Sequence, residues 1–322
     1  MGKSNLDLVG ECDNFPYYED DRVAYTENLN NYHAFKVSGY DCTLGYILNA
    51  VVEKFPWSEK SWAIDSTAQT VTLVAPAGAT PTHRSELVAA DIAEAVKQDK
   101  FEVLKGWRNE NYAVYGPGGE FLLEMERAAT PLFGIVSYGA HLTGYVEGES
   151  GLKIWVPRRA KNKQTYPSLL DNTVAGGMCT GETPFECIVR EAMEEASLPE
   201  AAVRAATVSA GCVTYSHVRD VRAGGETGLI QPEVEYIYDL KLDAETIPKP
   251  GDNEVEEFKL LSIPEVRAAL ARGEFKPNCA NIMIDFFVRH GVLTPENEPD
   301  YLQIVARLHR RLEYPTASHC AR

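Results

Sequence analysis

Glu191, Glu194 and Glu195 follow directly on Arg190 in a chain of 322 residues. On a helix these three glutamates occupy positions i, i+3 and i+4, which share one face. Like charges so placed repel by a few tenths of a kcal/mol per pair, roughly, and a cation relieves the repulsion. Carboxylate oxygens are hard ligands that suit Mg²⁺, an ion that prefers carboxylates, waters and substrate phosphates in octahedral array. Arg190 stands four residues from both Glu186 and Glu194 and is expected to pair with them, holding the carboxylates in position. The bland alternative is an acidic, solvated helix face steadied by Arg190.

The surrounding residues specify how such a helix would be presented. Gly176-Gly177 follows a strand-like segment and implies a tight turn with close backbone approach. Thr183 is the expected N-cap, Pro184 fits the first helical position, and Glu186 is placed to close a capping box. Phe185, Ile188, Val189, Ala192 and Ala196 recur at helical spacing and form one apolar stripe. Cys187 lies among them and reads as a small buried hydrophobe.

With its glycine turn, this stretch resembles the Nudix hydrolase signature, G-x5-E-x7-R-E-U-x-E-E-x-G-U with U aliphatic. The match runs from Gly176 through Glu182 to Arg190-Glu191-Ala192-Met193-Glu194-Glu195-Ala196-Ser197-Leu198. Two positions depart: Ala192 is smaller than the usual aliphatic, and Ser197 replaces the helix-ending glycine, where a left-handed conformation costs more than it does for Gly. The resemblance implies an α/β (α+β) fold, a Nudix α/β/α sandwich with a mixed β-sheet, preceded by a smaller α+β domain. It implies Glu194 and Glu195 as principal metal ligands, and Glu191 as a further ligand or the base for the attacking water. Arg190 orients the glutamates, and Glu182 is an outer-shell ligand or helix support. The carbonyl of Ala175 is the position that often binds metal. Gly176 and Gly177 are structural supports. A further acidic ligand is expected beyond the box, with Glu254 the first choice and Glu257 the second. The implied cofactor is Mg²⁺, with Mn²⁺ as a substitute, and the implied partner is a small-molecule diphosphate.

A wider resemblance bears on the substrate. Leu169 through Gly177, Glu194 through Pro199 and Pro232 through Leu240 look like a Nudix subgroup whose members carry an N-terminal domain related in name to thiamine pyrophosphokinase. The resemblance implies hydrolysis of thiamine diphosphate, or of its oxy and oxo forms, to the monophosphate. The other readings are a Nudix hydrolase of a nucleoside or coenzyme diphosphate and a Nudix-fold binding module without turnover. Arg158, Arg159, Lys161 and Lys163, just before the box, are placed to meet phosphate, with a solvated basic loop as the alternative. Trp155, Tyr215 and His217 can stack on a heterocycle; for Trp155 a core position is the alternative, and His217 has no visible metal partner.

Composition bounds the rest. A net charge of −16, from 31 basic and 47 acidic residues, repels polyphosphate backbones and argues against nucleic acid. No apolar run is long enough to span a membrane, neither end carries an obvious targeting or lipidation signal, and a cytoplasmic protein is expected. The seven cysteines are scattered without a C-x-x-C pair, which fits a reducing compartment. A monomer and a homodimer are both compatible.

Texture suggests an N-terminal α+β domain over 1–130, a Nudix domain over 131–285 and a helical extension over 286–322. Residues 34–37 and 70–74 look like strands, 44–52 and 84–98 like helices, and 113–124 like a hairpin. Further strands are expected at 135–138, 152–156, 208–213 and 234–240, a turn at 147–151, and helices at 263–272, 279–290 and 301–312.

Overall fold

Short alternating runs in the first third of the chain build a sheet, and one long amphipathic helix closes it. The computed structural model describes residues 2–149, 151–243 and 245–318. Ser150, inside the turn expected at 147–151, and the terminal Cys320-Ala321-Arg322 lie outside the described residues. Helices α1 (Asn5–Cys12) and α2 (Arg22–Leu29) precede β1 (Tyr32–Val37), β2 (Gly45–Leu48), α3 (Asn49–Lys54), β3 (Trp62–Asp65) and β4 (Thr70–Leu73). Then come α4 (Pro81–Lys97), the hairpin β5 (Asn111–Tyr115) and β6 (Phe121–Glu126), and α5 (Thr130–Phe133). The sheet order is β2-β1-β4-β3, with β1 and β4 parallel. Phe35, Ile47, Leu73, Ile92, Leu122 and Phe133 are fully buried in one cluster. Each contributes about 1.5–3 kcal/mol of burial.

The helix expected over 44–52 is half strand. Residues 45–48 pair with β1, Phe35 opposite Gly45, and only Asn49–Lys54 is helical. A non-local ladder overrides local preference here. Gly45 is required: a Cβ there would lie 2.3 Å from the Phe133 carbonyl oxygen.

The second body is built from β7 (Ser137–Gly148), β8 (Gly151–Arg159), β9 (Val174–Gly177), α6 (Pro184–Ala196), α7 (Glu200–Ala206), β10 (Thr207–Val218), β11 (Ile230–Lys241) and β12 (Val255–Ser262). Helices α8 (Ile263–Ala271), α9 (Pro277–Arg289) and α10 (Tyr301–Leu308) complete it. The sheet is mixed, in the order β10-β11-β7-β8-β12, with β7 and β11 parallel. Along one edge of β7, residues 139–142 pair with β9 and residues 145–148 pair with β8. One strand thus holds two partners in succession, and β9 carries the glycine turn to the end of its ladder away from the split, opposite Gly139 and Ala140.

Helix α6 covers one face, packing Ile188, Val189 and Ala192 against Leu142, Val174 and Leu240. On the other face α9 is buried almost throughout, and α1 joins it, with Leu8, Val9 and Cys12 in the same core as Ile282, Met283 and Phe286. The first helix of the chain is therefore part of the second body's packing. The last helix stops at Leu308 rather than 312, because the Arg310 N–H donates to the Thr214 carbonyl (3.1 Å) and pairs this segment with β10. Arg158 and Arg159 end β8 instead of opening a loop. Among the described residues no helix is long and apolar enough to cross a membrane.

Candidate active site

Local sequence sets α6 in place. Thr183 caps it, its Oγ1 accepting from the Glu186 N–H at 3.4 Å, and Pro184 opens the first turn. The expected capping box does not close: the Glu186 carboxylate turns to Arg204, at 2.8 and 2.7 Å. A bidentate guanidinium contact outcompetes a single backbone N–H. The helix ends at Ser197, which adopts the left-handed conformation (φ 51°, ψ 31°) that glycine would take without strain. Its last carbonyls are satisfied by the following loop, Lys249 N–H to Ala196 O (2.9 Å) and Gly251 N–H to Glu195 O (3.1 Å). The same loop carries Glu254.

Arg190 is the hub of the box. Its Nε and Nη2 grip the two oxygens of Glu182 (2.8 and 3.1 Å), and Nη1 donates to Glu191 (2.7 Å) and Glu194 (3.2 Å). Nη2 also meets the Gly177 carbonyl at 3.4 Å. The pairing expected with Glu186 is absent because Arg204 holds that carboxylate. Glu182 also accepts from the Cys179 N–H, so it anchors both the turn and Arg190. Gly176 leaves room for Glu191: a Cβ there would lie 2.1 Å from the Glu191 carboxyl carbon. Cys187 is fully buried beneath the turn.

Glu191 and Glu195 are recessed and line one cleft of about 270 Å³. Burial, and after it repulsion from Glu191, pushes the Glu195 carboxyl up to about 8. Burial raises Glu191 as well, although Arg190 and Arg127 oppose it. Among the described residues Glu195 accepts one hydrogen bond, from the Ala175 N–H (3.2 Å), and pairs with no lysine or arginine. Glu194, on the same helical face, is half-exposed beside Arg190 and does not line the cleft. Glu254 does line it, gripped by Lys163 and by Arg108 (2.8 Å). Burial would raise Glu254, but those two cations hold it low, at about 2. Among the described residues no three ligating side chains converge on a single point. Two recessed carboxylates, Glu195 with no cation and Glu191 with one oxygen on Arg190, nevertheless fit an ion that takes one or two protein carboxylates and completes its shell with water and phosphate.

The structure divides the remaining expected residues. Arg159 and Lys163 reach the cleft, but Arg159 is spent on Asp171 (2.6 Å) and the Tyr166 and Thr165 carbonyls. Arg158 and Trp155 lie outside its lining: Arg158 donates to Ser168 O and pairs with Glu257, while Trp155 packs against the α6 core. Lys161 pairs with Glu256. Tyr215 and His217 line the cleft. Tyr215 is fully buried, its hydroxyl between Glu233 and Glu235 (2.9 Å to the latter).

Two groups of lining residues were not anticipated from sequence. One is the back wall of Glu233, Glu235, His141, Asn278 and Lys276. Glu233 and Glu235 share a strand face by their spacing of two, a signal present in the sequence as two charges inside an apolar strand. The Asn172 Nδ2 donates to Cys279 O (3.3 Å), so its Oδ1 accepts from His141 Nδ1 (2.8 Å) and His141 Nε2 faces Glu235 at 3.5 Å. Burial alone would lower the imidazole, but Glu235 holds it protonated. The other group comes from the first body: Arg108, Tyr112, Arg127 and Thr130. The Tyr112 hydroxyl sits over Gly177, 1.6 Å from where a Cβ would be. No local pattern announces a contact of this kind.

Comparison with known proteins matches the sequence of this chain to two domains and to several relatives. A NUDIX domain model covers residues 142–279, and a domain of unknown function, DUF4743, covers residues 7–137. The uncharacterized protein YJR142W of Saccharomyces cerevisiae is 43% identical over 73% of this chain and 70% of its own length. This chain belongs to the Nudix hydrolase family. Nudix hydrolase 20, chloroplastic, of Arabidopsis thaliana is 36% identical over 65% of this chain and 54% of its own length, so the chain spans about half of that relative. The crystal structure of DR0079 from Deinococcus radiodurans aligns at a TM-score of 0.39 and 20% identity, over 62% of this chain and all of that one. As an enzyme of this family, the chain has diphosphate hydrolysis as its class of reaction. The matched N-terminal domain is DUF4743, and it carries no thiamine name.

Proposed function

We propose that this Nudix enzyme hydrolyses the diphosphate of a small heterocyclic molecule, thiamine diphosphate or its oxy and oxo forms, to the monophosphate and phosphate. The observation that carries the reading is one cleft joining Glu191 and Glu195 to a wall of hydrogen-bonding side chains. Its volume suits a single small molecule. Glu233, Tyr215 and Asn278 offer acceptors and donors for an amino-substituted ring.

Glu195 and Glu191, with the Ala175 carbonyl, are the groups that would hold Mg²⁺ or Mn²⁺, and Glu194 and Glu254 flank them. Such an ion, when bound, neutralises diphosphate charge and acidifies water. The chain's own part is positional and basic. Arg190 fixes Glu191 through Oε1, leaving Oε2 without a protein hydrogen bond among the described residues. Glu191 then takes the water proton. The water oxygen bonds to the terminal phosphorus, the bond from that phosphorus to the bridging oxygen breaks, and that oxygen leaves on the monophosphate.

The test is a Mg²⁺-supplemented panel of thiamine, oxythiamine and oxothiamine diphosphates, ADP and ADP-ribose, followed by chromatography of the monophosphate. The thiamine group is expected to lead the nucleotides by at least about 10-fold in kcat/KM, a binding difference of about 1.4 kcal/mol. A nucleotide that led instead would overturn the substrate.

A further inference from the structure

Arg127 comes from the first body, immediately after β6, yet its side chain opens into the Nudix cleft. Its guanidinium spends Nη1 on Glu110 (2.8 Å) and lies over the Tyr112 ring, 5.7 Å from the centroid. Among the described residues Nε and Nη2 have no hydrogen-bond partner in the protein, and the side chain is 41% exposed. The other cations near the box are occupied: Arg190 by Glu182, Glu191 and Glu194, and Arg108 and Lys163 by Glu254. Arg127 shares the cleft lining with Glu191, whereas Lys276 enters it next to Asn278 of the back wall. Arg127 is thus the cation left open at the catalytic end. A planar guanidinium fork matches two phosphoryl oxygens at once.

We propose that Arg127 binds the diphosphate opposite Glu191, so that the N-terminal domain supplies part of the substrate site. The Tyr112 ring lies beneath the guanidinium and its hydroxyl sits over Gly177, which registers this domain against the glycine turn. The proposal rests on the diphosphatase reading above, but its test reads binding rather than turnover.

Methylenediphosphonate, a diphosphate mimic with no cleavable bridge, is titrated calorimetrically into the full chain with Mn²⁺. Arg127→Gln is expected to weaken binding roughly 10- to 100-fold, the loss of charge-assisted hydrogen bonds, with Mn²⁺ affinity unchanged. Arg127→Lys, which keeps the charge and loses the fork, should fall between and serves if the Gln variant fails to fold. Glu110→Gln separates binding from structure: it frees Nη1 and should bind the mimic at least as well as the wild type. Wild-type affinity in both Arg127 variants, or an equal loss in Glu110→Gln, overturns the role of Arg127. Binding that depends on Arg127 in a protein that hydrolyses no diphosphate would instead sink the proposed activity and leave this inference standing. A wild type that does not bind the mimic overturns both.

Discussion

Glu195 at one end of the cleft and Glu235 at the other are both recessed acids beside a second glutamate, but they are partnered in opposite ways. Glu235 has internal partners: the His141 imidazolium, the Tyr215 hydroxyl and the Asn278 amide. Glu195 has one backbone N–H and a repelling neighbour. An acid whose charge the fold balances belongs to the architecture. An acid left unbalanced is in equilibrium with something from outside, a proton or a metal ion. The difference predicts that a Glu195 variant loses activity while keeping the fold, and that a Glu235 variant loses the fold first.

The largest effect is expected from Glu195→Gln. It removes the carboxylate that lacks a cation and should cut kcat/KM by roughly 10³-fold or more, as loss of a metal-activating group does. The thermal stabilisation that Mg²⁺ gives the wild type should disappear with it. Glu194→Gln, half-exposed beside Arg190, should cost less, about 10-fold. Equal losses in the two would show that Glu194 turns inward when metal binds, and undamaged activity in Glu195→Gln would refute the site.

Glu235→Gln probes the other end. It strands the protonated His141 in a buried position, and breaking one side of such a pair costs about 3–5 kcal/mol. Urea unfolding reads this directly, and added Mg²⁺ should not restore it. A loss below about 1 kcal/mol, the range of an exposed pair, would mean that His141 is neutral and the contrast between the two ends is smaller than drawn.

The unbalanced acid Glu195 was legible in the sequence and the partners of the balanced Glu235 were not, for a physical reason. Arg190, Glu191, Glu194 and Glu195 lie on one helix, where spacing alone fixes their neighbourhood, and Thr183, Pro184 and the apolar stripe mark that helix's start and buried face. Even there the capping box failed, because Arg204, 18 residues from Glu186, captured its carboxylate. His141, Glu235 and Asn278 meet from β7, β11 and α9, and Arg127 lines the cleft of Glu191 from the other body. Such contacts are decided by strand order and packing. Residues 45–48 teach the same about the fold: their pattern admits a helix, and pairing with β1 makes them a strand.

Glu233 gives the finest test, because it stands between the two cases. It accepts from Tyr215 and from Ser137 (3.3 Å), but no cation pairs with it among the described residues. Burial, and then Glu235, pushes its carboxyl up to about 7 from an ordinary 4.5. The sign follows from proton counting. Between those values the unfolded chain has lost the proton that the folded chain keeps, so stability falls as pH rises from 4.5 to about 7 and is level above. Glu233→Gln removes that penalty. The variant should match the wild type near pH 5 and exceed it at pH 8 by on the order of 1–3 kcal/mol, measured by urea unfolding without metal at each pH. A variant less stable than the wild type at pH 8 would show Glu233 to be ionised and satisfied in the fold, and would move it into the balanced class with Glu235.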